Sequence, residues 1–258
     1  MKRILIFTYG VACYAVGFAS LVYGIGFIGN LVVPKSIDSA PEMSLGWAIV
    51  IDLLLLAVFA LQHSVMARPA FKRWWTQFVP EPAERSTYVL FSGVAMFALF
   101  LLWQPIGGTV WHVSQPIPRA LLYAGFAAGW VTVLSTTFLI NHFDLFGLRQ
   151  VWLYLRGKDY SPLPFRTPAL YRFVRHPLYV GWLMAIWITP TMGVTHLIFA
   201  IGTTLYILVA IQFEERDLIN HFGEKYLNYK RHTPMLLPKL PGIRKSPEIQ
   251  SQPVSVES

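Results

Sequence analysis

Five apolar blocks separated by polar stretches run through this 258-residue sequence, and they leave few folds open. They extend from about Ile4 to Val33, Leu45 to Met66, Tyr88 to Gly107, Ala120 to Ile140 and Leu178 to Phe213. A helix needs about 20 apolar residues to cross the hydrocarbon of a bilayer, so each of the first four blocks suits one crossing. The fifth has 36 residues, too many for one crossing and slightly few for two. Pro190-Thr191-Met192-Gly193 sits near its centre with turn-forming residues at both ends. That pattern predicts a tight helical hairpin and six helical passes in total. Charged residues are only 13% of the chain, against about 25% in soluble domains. Such a chain cannot cover itself with polar surface. The reading is an all-α, polytopic integral membrane protein.

The positions of the basic residues test this topology. Lys2 and Arg3 precede the first block, and Arg68, Lys72, Arg73 and Arg85 follow the second. Six lie after the fourth block (Arg149, Arg156, Lys158, Arg166, Arg172 and Arg175) and seven lie from Arg216 onward. That is 19 of the 21 lysines and arginines; only Lys35 and Arg119 fall in the opposite loops. Positive residues collect on the cytoplasmic side, so both termini are expected there. An even number of passes follows, which independently requires the hairpin. The same placement assigns the net charge of +8 to membrane loops and argues against nucleic-acid binding.

Cys13 is the single cysteine, so no intramolecular disulfide forms, and no Cys/His cluster suggests a metal site. The chain divides into N-terminal transmembrane helices (1–140), a C-terminal region (141–241) and an expected disordered tail (242–258).

Ionisable residues inside a membrane are costly and ask for an explanation. In the expected topology they gather at one side. His63 lies near the cytoplasmic end of the second block, and the fourth block delivers Asn141, His142 and Asp144 to the same side. The hairpin begins there with Arg175-His176-Pro177 and returns there with Glu214-Glu215. Pro177 suits a first helical turn, because its missing N–H would be unpaired anyway. The helix then points its positive end at any ligand oxygen beside His176. Gly181 permits close backbone approach. Two adjacent carboxylates need cationic or hydrogen-bonding partners. After Gly223 a short amphipathic helix carries Tyr226 and Tyr229 on one face. His112 and His196 fall at the opposite side. Each of these segments also has a bland reading, as a basic anchor or an interfacial helix.

The run RFVRHPLYVGW, followed by a hydrophobic hairpin and then EERDLINHFGEKYLNYKRHTP, resembles the C-terminal signature of integral-membrane methyltransferases, a group that includes the isoprenylcysteine carboxyl and phospholipid methyltransferases. The front-half segments LQHSVMARPAFKRWW, ERSTYVLFSG and NHFDLFGLRQVWLYLRG resemble the bacterial methanethiol S-methyltransferases. Together these matches span about Leu45 to Pro241. The resemblance implies S-adenosylmethionine as cofactor, a small thiol as acceptor, dimethyl sulfide as product, and a bacterial inner membrane as location. It implies donor-binding roles for Arg175, His176, Leu178, Tyr179, Gly181, Glu214 and Glu215, with Tyr226 and Tyr229 closing over the cofactor. Membrane lipids are the only further partners expected, and no metal.

Methyl transfer from a sulfonium is an in-line displacement that needs positioning and a thiolate nucleophile. A histidine that takes the thiol proton is therefore sought. His142, oriented by Asn141 or Asp144, is the first choice and His63 the second. Two other readings stay open: a methyltransferase acting on a lipid or prenyl-cysteine headgroup, and a non-enzymatic membrane protein linked to nitrogen-oxide metabolism.

Overall fold

The structure is a computed structural model, and residues 1–238 are described; the expected tail at 242–258 lies outside them. Five helices are long and apolar enough to cross a membrane. They are α1 (Lys2–Gly29), α2 (Leu45–Ala67), α4 (Glu81–Leu102), α5 (Pro116–Ile140) and α9 (Val194–Phe222). Short helices α3 (Pro69–Trp75), α6 (His142–Leu145), α7 (Leu148–Leu155) and α10 (Glu224–His232) lie at one end of the bundle. Many large apolar side chains face outward, among them Leu54, Val58 and Leu61 on α2 and Leu121, Val131 and Phe138 on α5. A bilayer is the solvent in which that surface is stable. The protein is a polytopic α-helical membrane protein.

The fifth apolar block does fold back on itself, with the turn at the predicted place. Its first arm, however, is not a full-length span. Helix α8 (Pro177–Trp187) has 11 residues, about 16 Å at 1.5 Å per residue. The chain then runs through Ile188 and Thr189 into a short strand, β2 (Thr191–Gly193). Strand β2 pairs antiparallel with β1 (Thr109–His112) from the loop between α4 and α5. A two-stranded clasp therefore holds the hairpin turn, and the extended residues supply the reach that α8 lacks. His112 and His196 are both at this end, as expected. His196 Nε2 lies 2.9 Å from the Ile186 carbonyl, tying α9 to the end of α8.

Small residues set how closely the helices approach. A Cβ built on Gly93 of α4 would lie 2.9 Å from the Cα of Gly17 on α1. On α8, a Cβ at Gly181 would meet the Gly129 carbonyl oxygen and the Val133 nitrogen of α5, each at 2.8 Å. Without side chains in the way, backbones pack by direct van der Waals contact, the usual device where lipid replaces water. The main apolar core, including Phe27, Phe100, Trp103, Phe126, Ile186 and Phe199, fills the end nearer the clasp. The opposite end is less filled, and the polar groups gather there. Replacing Gly181 by valine should overpack the α5–α8 contact, at a cost of about 1–3 kcal/mol. Thermal unfolding in detergent should show a lower midpoint for Gly181→Val. Gly46→Ala, where nothing lies within 4 Å of the new Cβ, should not lower it, since alanine suits a helix better than glycine.

Candidate active site

The hairpin brings the Arg-His-Pro segment and the paired glutamates into contact. Glu215 is the centre of the junction. Arg175 Nε donates to its Oε1 at 2.6 Å, His176 Nε2 lies 3.1 Å from the same oxygen, and Lys230 Nζ of α10 sits 2.7 Å from Oε2. The backbone closes the same junction: Arg175 N–H donates to the Pro234 carbonyl and His176 N–H to that of Met235. One buried carboxylate thus joins the start of α8, α9 and α10.

The two glutamates have different environments. The Glu215 side chain is 4% exposed and fully engaged, whereas that of Glu214 is 44% exposed. Tyr179 donates its hydroxyl to Glu214 Oε2 at 3.0 Å, and Glu214 Oε1 accepts no hydrogen bond from the described residues. Successive helical residues point about 100° apart, so one carboxylate faces the junction and its neighbour faces outward.

Tyr226 and Tyr229 are also built into the junction. Tyr226 is buried and packs against Phe165. Tyr229 donates to the Tyr171 carbonyl at 2.6 Å, and burial holds its phenol up to about 12. Gly181, expected to allow close approach of a ligand, presents its bare face to Gly129 of α5 instead.

A cavity of about 480 Å³ opens beside Tyr179 and extends between α1, α2, α4 and α9. Leu178, Tyr179, His63, Arg85, Tyr88 and Tyr206 line one end, and the rest of the wall is mainly apolar. His63 Nδ1 is 3.0 Å from Ser92 Oγ, and its Nε2 is 2.9 Å from the Tyr88 hydroxyl. The ring stacks on Phe59 with centroids 5.4 Å apart. Among the described residues, no carboxylate lies within 4.0 Å of Arg85, whose guanidinium sits 5.6 Å from the Tyr88 ring centre.

His142 has a different setting. It is buried, with Nδ1 2.7 Å from Thr137 Oγ1 and Nε2 2.9 Å from the Tyr14 hydroxyl. It stacks on Phe138 at 4.3 Å and is not among the residues lining the cavity. Burial pushes its pKa below the ordinary histidine value. Its orienting partners are Tyr14 and Thr137, not Asn141 or Asp144. Asn141 caps α6 by accepting from the Asp144 N–H, and Asp144 pairs with Arg149 at 2.8 Å. Those two residues shape the α6–α7 corner. Sequence reasoning missed Arg85, Tyr88, Ser92 and Tyr206. The i, i+4 spacing of Tyr88 and Ser92 on α4 was visible, but only packing against α2 shows that both reach His63.

The chain is 57% identical over 238 residues to a methanethiol S-methyltransferase of Crocosphaera subtropica, covering 92% of this chain and 93% of that protein. It is 53% identical over 238 residues to the methanethiol S-methyltransferase of Mycobacterium tuberculosis, covering 92% and 98%. The chain belongs to the methanethiol S-methyltransferase family. A more distant relative is nurim of Rattus norvegicus, 31% identical over 191 residues and 70% of each chain. No protein-family model matches, and no solved structure does.

Family members are methyltransferases, so a methyl donor and an acceptor must meet. In this chain the exposed Glu214 and the cavity adjoin through one side chain, Tyr179. The unequal burial of the glutamates gives a direct test. Removing one member of a buried ion pair costs about 3–5 kcal/mol, so Glu215→Gln should unfold at a clearly lower temperature in detergent. Glu214→Gln should unfold within error of the unaltered protein.

Proposed function

We propose that this protein transfers a methyl group from S-adenosylmethionine to methanethiol, giving dimethyl sulfide, at the cytoplasmic face of a bacterial plasma membrane. The observation that carries the reading is the 57% identity to a methanethiol S-methyltransferase along nearly the whole of both chains. The concentration of lysine and arginine on the side that holds the site supports a cytoplasmic orientation of both termini.

The residues present fit such a donor. Its cationic amino acid part and ribose hydroxyls need acceptors, and Glu214 Oε1, on a half-exposed side chain, accepts no hydrogen bond from the described residues. Its carboxylate needs donors, and the Leu178 and Tyr179 N–H groups open α8 without intrahelical acceptors. When bound, S-adenosylmethionine supplies a methyl group on a sulfonium that leaves as a neutral thioether. Arg175 and Glu215 hold the frame, and His176 and Tyr179 orient Glu214. The region 141–238 thus provides the donor site, and helices of 1–140 provide most of the acceptor cavity.

The acceptor must lose a proton, because the thiolate is the nucleophile. His63 is placed to take it, since it is the histidine lining the cavity and Tyr88 and Ser92 fix its ring. Arg85 offers a cation to the forming thiolate from the same rim. His142, which is absent from the cavity lining, is better explained as a structural histidine held by Tyr14 and Thr137. Membranes supplied with methanethiol and S-adenosylmethionine should release dimethyl sulfide into the headspace only when both are present. His63→Gln should lower turnover about 10²–10⁴-fold while calorimetric affinity for S-adenosylmethionine stays the same. Unchanged turnover in that variant would remove His63 as the proton acceptor.

A further inference from the structure

The cavity is far larger than the acceptor it is asked to hold. Methanethiol has two non-hydrogen atoms, whereas cavities of about 300–1,000 Å³ enclose drug-sized ligands, and this one measures about 480 Å³. Its shape is equally informative. Along α4 the lining runs from Arg85 to Phe100, about 22 Å at 1.5 Å per residue. The ionisable groups His63, Arg85, Tyr88, Tyr179 and Tyr206 gather toward one end, and the lining also holds the small hydroxyls of Ser20, Ser92, Thr137 and Thr203. The deep limb is walled by Leu56, Met96, Leu99, Phe100 and Phe199, with Gly202 between them. Those side chains offer no hydrogen bond to a ribose or to the polar edge of an adenine, and the nearby Ser20 hydroxyl already donates to the Gly17 carbonyl. His176 and Glu214, suited to the donor, lie outside the lining. The deep limb therefore fits hydrocarbon, continuous with the place where a thiol would react. Ala57, which is exposed on α2, is also part of the cavity wall.

Resting on the methyl-transfer reading above, we infer that the site also accepts long-chain alkanethiols, with the sulfur at the His63–Arg85 rim and the alkyl tail in the deep limb. The thiol gives its proton to His63. The thiolate sulfur forms a bond to the methyl carbon as the methyl–sulfonium bond breaks, and that electron pair stays on the departing thioether sulfur. The products are an alkyl methyl sulfide, S-adenosylhomocysteine and a proton passed on to water. Burying methylenes stabilises binding by about 0.8 kcal/mol each, so longer tails should bind more tightly until the limb is full.

The test uses the full-length protein in proteoliposomes with S-adenosylmethionine and either methanethiol or n-octanethiol, with products read by mass spectrometry. Methyl octyl sulfide should form, with a KM about tenfold or more below that for methanethiol. Gly202→Leu should narrow the limb. The single atom near a Cβ there is the tip of Leu56, at 2.9 Å, which can turn aside. This variant should raise the octanethiol KM about tenfold more than the methanethiol KM. Met96→Trp narrows the limb from the opposite wall and serves if Gly202→Leu does not fold. Methylation of methanethiol but not octanethiol overturns this inference and leaves the proposed reaction standing. Methylation of neither overturns both. Octanethiol methylation that responds to neither variant overturns the placement of the tail.

Discussion

A single buried carboxylate holds the functional end of this protein together. Glu215 receives Arg175, His176 and Lys230 within 3.1 Å, and through them α8, α9 and α10 share one junction. An unpaired ion at such a depth would be prohibitively desolvated, so the carboxylate is stable only while its partners remain in place. This interdependence means that the hairpin cannot open at its basic end without leaving both charges buried and unpaired. The neighbouring Glu214 is freed by the same arrangement. Because Glu215 is committed to structure, Glu214 can stay partly exposed, with one oxygen bonded to Tyr179.

Packing varies along the bundle in the same functional sense. Near the β1–β2 clasp, aromatic and aliphatic side chains fill the space between helices. Toward the basic end the helices enclose a cavity, and a rim formed by His63, Arg85, Tyr88 and Tyr179 separates its apolar wall from the exposed polar surface. In the proposed reaction, a charged donor from water and an apolar thiol would meet at that rim. The close contacts at Gly17–Gly93 and Gly129–Gly181 bring helices of that cavity wall together backbone to backbone.

Much of this was legible in the sequence, for identifiable reasons. Span lengths, the basic-residue asymmetry and the central turn at Pro190–Gly193 correctly required a chain that doubles back. The short α8 was not legible, because apolar residues suit a helix or an extended segment equally when buried, and the deciding partner, β1, lies about 80 residues away. The adjacent glutamates read as an equivalent pair, yet on a helix they must diverge. His142 attracted attention through its polar neighbours in sequence, but those neighbours serve the α6–α7 corner. His63 became the stronger candidate only through its contacts with α4, which no local pattern encodes.

The account depends most on the two ends of the hairpin sharing one face of the membrane. In a Cys13→Ala background, single cysteines at the exposed positions Phe173 and Arg216 can be probed with a membrane-impermeant maleimide in sealed vesicles of each orientation. Both cysteines should react in inside-out vesicles and neither in right-side-out ones. Reaction of one cysteine from each side would place the two ends across the bilayer from each other, and the Glu215 junction could not exist.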